Sequence, residues 1–294
     1  MRVCVSCGGR FCAEDWDCPT CGFSPQYRHG YPVFCPARAT DNGGYNPEYF
    51  ADILAREDSF WLLARKRLFV WALRCYFPHA TSFLDIGCAT GALLSYIHEV
   101  FPALMLWGTE IHSAGLDFLQ ERLPDVSVFQ ADAREIPFAE EFDVIGAFDV
   151  LEHVEEDVRV LGQLYQATKP GGGILVSVPQ HPFLWSQRDE HLCHRRRYTR
   201  RQLVEKINSV GFEILRITSF VSLLFPLMLL ASIRNRNRRN GYDPFAELKI
   251  GRWAQLTMTQ VLTIERQLIK AGFSFPWGGS LFLVAKRNRV NTIS

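Results

Sequence analysis

Two Cys-x-x-Cys-Gly repeats lie close together near the start of the chain. Cys4 and Cys7 form the first pair, and Cys18 and Cys21 form the second. Four thiolates at this spacing suit the tetrahedral coordination of Zn²⁺, and the glycine after each pair lets the backbone turn around the ion. Because four protein ligands leave no open position on the metal, the sequence predicts a structural zinc site.

Other interpretations of this cysteine-rich segment remain open. A redox-active thiol pair competes with metal binding, and Cys12 or Cys35 could replace one of the four ligands. Five of the nine cysteines lie within residues 4–21, and no apolar signal-peptide core precedes them. In a reducing cytoplasm a metal site is favoured over disulfides, and the doubled pairs are similar to those of zinc ribbons.

A glycine-containing loop, residues 84–91 (LDIGCATG), separates a predicted strand from a predicted helix. Gly87 and Gly91 allow the backbone to turn tightly and to approach a ligand. The following helix offers free backbone N–H groups to a polar or negatively charged ligand. The Gly-x-x-x-Gly spacing does not match the dinucleotide-binding fingerprint, so the loop alone does not name a cofactor.

Acidic residues follow the next three predicted strands. Glu110 is placed to accept hydrogen bonds from ribose hydroxyls, and Asp132 is placed to accept one from an adenine amine. Asp149 follows the fourth strand, at the edge where open α/β sheets bind ligands. Each residue taken alone could equally be a surface carboxylate, and only their common position indicates a site.

Four histidines are candidate general bases for a hydroxyl acceptor. His153 follows the fourth strand, whereas His181, His191 and His194 lie in the polar and aromatic loop after the fifth strand. An imidazole there could take the proton that an acceptor loses. The competing interpretation is that each histidine only caps or hydrogen-bonds the loop.

Short apolar strands and amphipathic helices alternate through the centre of the chain. Strands are predicted over residues 82–88, 104–109, 126–129, 142–148, 174–178, 212–218 and 281–285. Helices are predicted over residues 48–77, 92–100, 113–123, 156–168 and 199–210, and a turn over residues 169–173. This alternation predicts an α/β fold with a doubly wound, mostly parallel, seven-stranded sheet.

Five ordered segments strengthen the prediction: LDIGCATG, GTE, ADAREIPF, FDVIGAFDVLEHV and KPGGGILVSVP. Together they resemble the class I S-adenosylmethionine (SAM)-dependent methyltransferases, in particular the type 11 group, over residues 80–220. The resemblance implies a Rossmann-like fold and a SAM site, although Ala89 stands where many relatives have glycine. It implies cofactor contacts for Asp85, Gly87, Cys88, Gly91, Glu110, Ile111, Asp132, Ala133 and Asp149.

The chain is thereby divided into three parts. Residues 1–35 form a zinc-ribbon-like module, and residues 36–80 form a linker and N-terminal helices. Residues 81–294 form the methyltransferase domain, with a helical insertion over residues 220–279 before the last strand. Insertions of this length inside a compact domain usually have a function.

The insertion begins with an apolar run, Phe220–Ile233, followed by four arginines at positions 234, 236, 238 and 239. Its 14 residues are too few to span a bilayer. An apolar helix beside a basic cluster is typical of an interfacial membrane anchor. A lid over the acceptor pocket is the alternative, and the two are compatible.

The charge balance of the chain bears on the classes of partner that it can bind. Lys plus Arg total 32 and Asp plus Glu total 31, so a net charge of +1 gives no general attraction to nucleic acid or to a membrane. From the family resemblance and the apolar insertion, we expect a cytoplasmic methyltransferase, at the inner face of the membrane, that acts on a small-molecule or lipid-linked acceptor. An RNA methyltransferase with a zinc-binding recognition module and a non-catalytic SAM-binding scaffold are the alternatives.

Overall fold

A single large β-sheet organises the protein. A computed structural model describes residues 1–13, 15–39, 50, 54–235 and 251–289. The strands are β1 Arg2–Val3, β2 Arg10–Phe11, β3 Gln26–Arg28, β4 Tyr31–Val33, β5 Ser82–Ile86, β6 Met105–Glu110, β7 Ser127–Gln130, β8 Phe142–Phe148, β9 Thr168–Pro179, β10 Phe212–Phe220 and β11 Ser280–Arg287. The helices of the described residues are α1 Pro36–Ala39, α2 Phe60–Tyr76, α3 Ala92–Val100, α4 Ser113–Arg122, α5 Asp157–Ala167, α6 Gln187–His191, α7 Arg200–Ser209, α8 Phe225–Asn235 and α9 Arg252–Lys270.

The strand order is β10–β11–β9–β8–β5–β6–β7–β4–β3. The pairs from β4 through β9 are parallel, and β11 is antiparallel to both of its neighbours. This confirms the predicted doubly wound α/β fold, and all seven predicted strands are present. The order reverses at β5, which lies between β6 and β8, and such a switch point opens a crevice at the carboxyl ends of the strands.

Two further strands extend the sheet beyond the predicted seven. β3 pairs with β4, and Val33 of β4 pairs with Gln130 of β7. Tyr31 and Val33 are buried in this position, so the hairpin covers what would otherwise be an open edge of the sheet. The sequence assigned these residues to the cysteine module, but the structure joins residues 26–33 to the central sheet.

Helices cover both faces of the sheet, because successive side chains of a strand point to opposite faces. In β5, Phe83 packs in one core and Leu84 in the other. The first core receives apolar residues of α2, α3, α4 and α9, and the second receives those of α5 and α7. Burial on both faces explains why the central strands are apolar throughout.

The turn predicted over residues 169–173 is instead part of β9. At Gly172 a Cβ would lie 2.3 Å from the backbone oxygen of Asp143, and at Gly173 it would lie 2.3 Å from that of Ala285. The glycines therefore allow neighbouring strands to approach beside an irregularity in the β8–β9 register. A glycine cluster indicates close backbone approach as well as a turn, and the sequence pattern does not separate the two.

The apolar run Phe220–Ile233 is divided between two elements. β10 extends to Phe220, and α8 begins only at Phe225. No helix in the described ranges combines the length and apolar character that a bilayer span requires. Residues 40–49 and 51–53 of the predicted linker and N-terminal helices, and the arginines at 236, 238 and 239, lie outside the described residues.

A buried carboxylate of α9 holds the corner between β10 and α8. Glu265 is fully buried, and its Oε2 accepts hydrogen bonds from the backbone N–H groups of Ser222 and Leu223, both at 2.8 Å. These donors lie where the chain leaves the strand and would otherwise be unpaired. The contact fixes the start of the insertion.

Glu265→Ala is expected to lower the free energy of unfolding by about 1–3 kcal/mol, since two buried N–H groups lose their acceptor. Urea denaturation followed by circular dichroism measures the effect. Glu205→Ala, which breaks only the exposed pair with Arg201, is the control and should stay within about 0.5 kcal/mol. Equal effects of the two substitutions would contradict the role assigned to Glu265.

Candidate active site

A cavity of about 700 Å³ opens at the carboxyl ends of β5, β6, β7 and β8. Its floor is made by the residues that end these strands, and its walls come from α2, α8 and residues 188–197. This volume lies in the range that accommodates a cofactor or a drug-sized ligand. The cavity occupies the crevice that the strand order creates.

The loop after β5 has the backbone conformation that its glycines permit. Gly87 has φ +68°, and a Cβ there would lie 2.7 Å from Cγ2 of Val150. Gly91 has φ +75°, and a Cβ there would lie 2.3 Å from Cδ1 of Leu119. Gly87 lines the cavity, whereas Gly91 does not and instead packs against α4. Gly91 therefore contributes by bringing the start of α3 close to the floor.

Asp85, at the end of β5, is buried and lines the cavity. Its Oδ1 has no hydrogen-bond partner among the described residues. Burial, together with the nearby charge of Glu110, raises the pKa of Asp85 well above its usual range. A buried oxygen without a partner is costly, so this carboxyl is suited to a cationic or hydrogen-donating ligand.

Glu110, at the end of β6, is held by backbone groups on both sides. Its Oε1 accepts from the N–H of Ile111 at 2.8 Å and of His112 at 3.3 Å, and its Oε2 accepts from the N–H of Ala89 at 3.2 Å. Burial raises its pKa, an effect that these hydrogen bonds oppose. The side chain therefore has one fixed orientation beside the glycine loop. Ile111 also lines the cavity.

Asp132, just beyond the end of β7, is engaged by two arginines. Oδ1 accepts from the backbone N–H and the Nε of Arg134, at 3.0 and 2.9 Å. Oδ2 accepts from Arg38 at 2.8 Å and from Arg134 at 2.6 Å. The Arg38 side chain is 47% exposed, so it is the contact that a ligand amine can displace most readily. Cys88 and Ala133, two further predicted contacts, line the cavity nearby.

Asp149, after β8, adopts a left-handed backbone conformation with φ +56°. It accepts hydrogen bonds from Arg65 of α2 and from the hydroxyl of Ser177, the latter at 3.0 Å. Burial acts to raise its pKa, but Arg65 and Ser177 outweigh that effect and hold the pKa below its usual value. Arg65 is buried and stacks 4.3 Å from the ring centroid of Trp61. Sequence reasoning missed Arg65, since one arginine in an amphipathic helix carries no signal.

Two of the four candidate histidines lie together in the cavity wall. The ring centroids of His153 and His194 are 4.8 Å apart. Burial, and then the charge of His194, lower the pKa of His153 to about 4. Nδ1 of His194 lies 2.9 Å from Oδ1 of Asp189, a buried carboxylate that also pairs with Arg197. An Nδ1–H donated to Asp189 leaves the lone pair on Nε2 of His194.

Glu152 lies beside these two histidines and was not singled out from the sequence. It is fully buried, and neither carboxylate oxygen has a hydrogen-bond partner among the described residues. Burial and the charge of Asp149 raise its pKa well above the usual range. The sequence signal was available in its position, directly before His153 at the end of a strand.

The other two candidate histidines do not line the cavity. His181 stacks on Trp277 with ring centroids 5.0 Å apart, and it also contacts Phe225. His191 is exposed at the end of α6, where Nδ1 lies 2.8 Å from the backbone oxygen of Gln187. The path of the loop after β9 decides this division, and the sequence does not reveal that path.

The four predicted zinc ligands converge beside the β1–β2 hairpin. The Sγ atoms of Cys4 and Cys21 are 3.6 Å apart, those of Cys7 and Cys18 are 3.7 Å apart, and all four lie within 4.8 Å of one another. Zn–S bonds of about 2.3 Å in a tetrahedron require S···S distances of about 3.8 Å. The arrangement therefore fits Zn²⁺. Cys12 and Cys35 do not belong to this cluster.

The cysteine module is packed onto the sheet. Trp16 is buried and makes edge-to-face contacts with Phe34 and Phe138, at centroid distances of 4.7 and 5.2 Å. Arg2 stacks 4.3 Å from the centroid of Trp16, and the N–H of Val3 donates to the backbone oxygen of Pro137 at 3.0 Å. The module and the sheet therefore share a core.

Comparison with known proteins assigns the class. A family model described as a methyltransferase domain matches residues 54–217, more than half of the chain, and the chain belongs to this family. A protein of Mycolicibacterium smegmatis described as a probable S-adenosylmethionine-dependent methyltransferase is 26% identical over 161 residues, which cover 54% of this chain and 61% of that protein. Trans-aconitate 2-methyltransferase of Deinococcus radiodurans is 26% identical over 113 residues, 38% of this chain and 40% of that enzyme.

The chain thus spans less than two thirds of the length of these curated relatives. Among solved structures, a SAM-dependent methyltransferase from Archaeoglobus fulgidus aligns with a TM-score of 0.52 and 16% identity, over 81% of this chain and 99% of that one. At this identity the likeness shows the shared fold.

Asp85→Asn is expected to raise the free energy of unfolding of the ligand-free protein at about pH 7. The folded chain holds the Asp85 proton more tightly than the unfolded chain, whose pKa is near the ordinary 3.8. The penalty is therefore absent below that pH and grows as the pH rises above it. Urea denaturation between about pH 4 and pH 8 should show the gain of the variant shrinking toward acid. Asp125→Asn, at an exposed position, should show no such trend.

Proposed function

We propose that the protein is a SAM-dependent methyltransferase that acts on a small-molecule or lipid-linked acceptor. The observation that carries the proposal is the buried carboxyl of Asp85, whose Oδ1 has no hydrogen-bond partner among the described residues. It lies near the anchored carboxylate of Glu110, in the cavity of a methyltransferase domain. When bound, SAM supplies an activated methyl group, and the protein has to position an acceptor in line with it.

The cavity offers a partner for each polar part of this cofactor. Asp85 would accept a hydrogen bond from the ammonium group of the methionine moiety, and Glu110 would accept hydrogen bonds from the ribose hydroxyls. Asp132 would accept a hydrogen bond from the adenine amine after its hydrogen bond with Arg38 is broken. Asp149 and the glycine loop would complete the methionine side of the site. The unpaired oxygen of Asp85 and the exposure of Arg38 are consistent with this assignment.

The rest of the cavity wall suits an amphiphilic acceptor. Trp61, Leu62, Phe69 and Met228 provide apolar surface. For a hydroxyl acceptor, His194 is placed to take the departing proton on Nε2, because Asp189 binds Nδ1. An apolar wall beside polar groups supports a small or lipid-linked acceptor.

The insertion supports contact with a membrane surface. Met228 of α8 faces the cavity, whereas Leu227 and Leu230 of the same helix are 51% and 64% exposed. Trp253 of α9 is 82% exposed. A helix that walls the cavity on one side and presents apolar side chains on the other suits an acceptor held in a lipid surface.

Three arginines in the segment after β9 have carboxylate partners, which weighs against the RNA alternative. Arg196 pairs with Asp157, Arg197 with Asp189 and Arg201 with Glu205. Phosphate recognition relies on arginines that can exchange counterions for phosphate oxygens. These side chains already have carboxylate partners within the fold.

We further propose that Cys4, Cys7, Cys18 and Cys21 bind one structural Zn²⁺. The sulfur spacing described above and the two left-handed glycines that follow the pairs, Gly8 at φ +73° and Gly22 at φ +71°, support the assignment. The ion would cross-link a segment that contains only two-residue strands.

Methyl-labelled SAM is the test of the main proposal, with lipid, small-metabolite and RNA fractions of the source cell as acceptors. Label is expected in the lipid or small-metabolite fraction, and Asp85→Ala should abolish it together with SAM binding measured by calorimetry. Flotation with anionic vesicles that survives RNase treatment would accompany a lipid acceptor.

Other outcomes of this experiment rank the alternatives. Label in RNA would establish the RNA methyltransferase instead. SAM binding without a labelled product in any fraction would leave a non-catalytic scaffold. Asp125→Ala serves as the matched control, since this exposed aspartate lies outside the cavity and should not affect labelling.

Cys18→Ser is expected to lose the zinc bound at the four thiolates and to lower the thermal unfolding temperature, because the module that contributes Trp16 to the core loses its cross-link. Zinc content is measured by mass spectrometry after treatment with a weak chelator, so that only zinc held by the four thiolates is counted. Cys12→Ser, outside the cluster, should retain zinc. Equal zinc content in the two variants would contradict the assignment.

A further inference from the structure

We propose that Glu152, His153 and His194 form a second metal site, separate from the cysteine cluster, that binds a divalent transition-metal ion in the wall of the cavity. One carboxylate oxygen and one ring nitrogen from each histidine all lie within 4.8 Å of one another. Ligands bound to one ion at about 2.0–2.2 Å are about 3–4 Å apart, so small side-chain rotations suffice to share it.

The burial of Glu152 and its unpaired oxygens among the described residues favour a cationic partner at this position. It is fully buried, lines the cavity, and leaves both oxygens without a hydrogen-bond partner among the described residues. A buried carboxyl in this state is costly unless a cation or a donor completes it.

Two of the arginines near this cluster, Arg65 and Arg197, are paired with other carboxylates. Arg65 donates to Asp149, and Arg197 donates to both oxygens of Asp189. No hydrogen bond within the described part of the chain joins either guanidinium to Glu152. Glu152 is therefore not paired with either of these arginines, and a bound ion would supply its partner.

His194 has the arrangement typical of a metal ligand. Its Nδ1 lies 2.9 Å from Oδ1 of Asp189, which fixes the ring and directs the Nε2 lone pair away from that carboxylate. Histidines that bind metals usually donate their other ring N–H to a carboxylate in this way. Arg197 in turn orients Asp189, through contacts of 2.8 and 2.9 Å.

The donor set defines the kind of ion. Two imidazole nitrogens and one carboxylate oxygen suit Zn²⁺, Fe²⁺ or Co²⁺ rather than Ca²⁺ or Mg²⁺, which prefer oxygen. Three protein ligands leave coordination positions open to the cavity. On the proposed methyltransferase function, an acceptor with oxygen ligands would fill them. A bound ion would then use the Nε2 lone pair that otherwise accepts the proton.

Co²⁺ binding to the full-length chain tests the site directly. The protein is first treated with a weak chelator, which leaves zinc at the four thiolates, and is then titrated with Co²⁺ by calorimetry and visible absorption. About one further ion is expected to bind without the intense charge-transfer absorption of a cobalt thiolate. Glu152→Gln and His194→Ala should each weaken this binding by at least about tenfold.

His191→Ala is the matched control, because this exposed histidine lies near the cluster in sequence but outside it in space. It should bind Co²⁺ like the wild type, and circular dichroism should show that all variants are folded. Absence of Co²⁺ binding by the wild type would overturn the proposal, and so would unchanged binding by Glu152→Gln and His194→Ala. Neither result depends on methyl transfer. A wild-type protein that binds Co²⁺ but transfers no labelled methyl group to any fraction would count against the proposed function alone.

Discussion

Burial of several carboxylates at one edge of a parallel sheet is the constraint on which the cavity depends. The carboxyl ends of adjacent strands meet there, and they bring Asp85, Glu110 and Asp149 within one crevice. A buried carboxylate is costly unless it is paired or hydrogen-bonded. Much of the surrounding structure supplies those partners: backbone N–H groups hold Glu110, and Arg65 of α2 holds Asp149. The packing of α2 across the sheet thus serves the electrostatics of the site as well as the core.

The same reasoning separates structural carboxylates from those that await a ligand. Asp189 has its donors within the fold and fixes the loop after β9, and Glu265 accepts two backbone N–H groups on Oε2 at the start of the insertion. Among the described residues, Asp85, Glu152 and Glu265 each retain a buried oxygen without a hydrogen-bond partner, but only Asp85 and Glu152 of these three line the cavity. One lies beside the glycine loop and the other beside the histidine pair, so the cavity has two distinct polar regions. In the proposed function, the cofactor binds in the region beside the glycine loop and the acceptor binds in the region beside the histidine pair.

The cysteine module depends on the methyltransferase domain, and the domain depends on it. Its own strands are two residues long, and Trp16 is buried in part by Phe138 of the sheet domain. The following hairpin, residues 26–33, then closes the sheet edge at β7. The segment therefore shares a core with the sheet domain and covers an edge of its sheet.

The amino-acid pattern alone was enough to predict the central strands, the cysteine cluster and the acidic residues of the cavity floor. Each rests on local pattern: apolar strands alternating with amphipathic helices, the spacing of Cys4 to Cys21, and an acidic residue where each strand ends. Contacts between segments that are far apart in the chain could be identified only from the tertiary structure. Sequence spacing does not show that α2 delivers Arg65 to Asp149, that the loop after β9 brings His194 but not His181 to the cavity, or that Glu152 is buried without a partner. The physical reason is that these outcomes depend on how side chains far apart in the chain pack and desolvate one another, which no local pattern encodes.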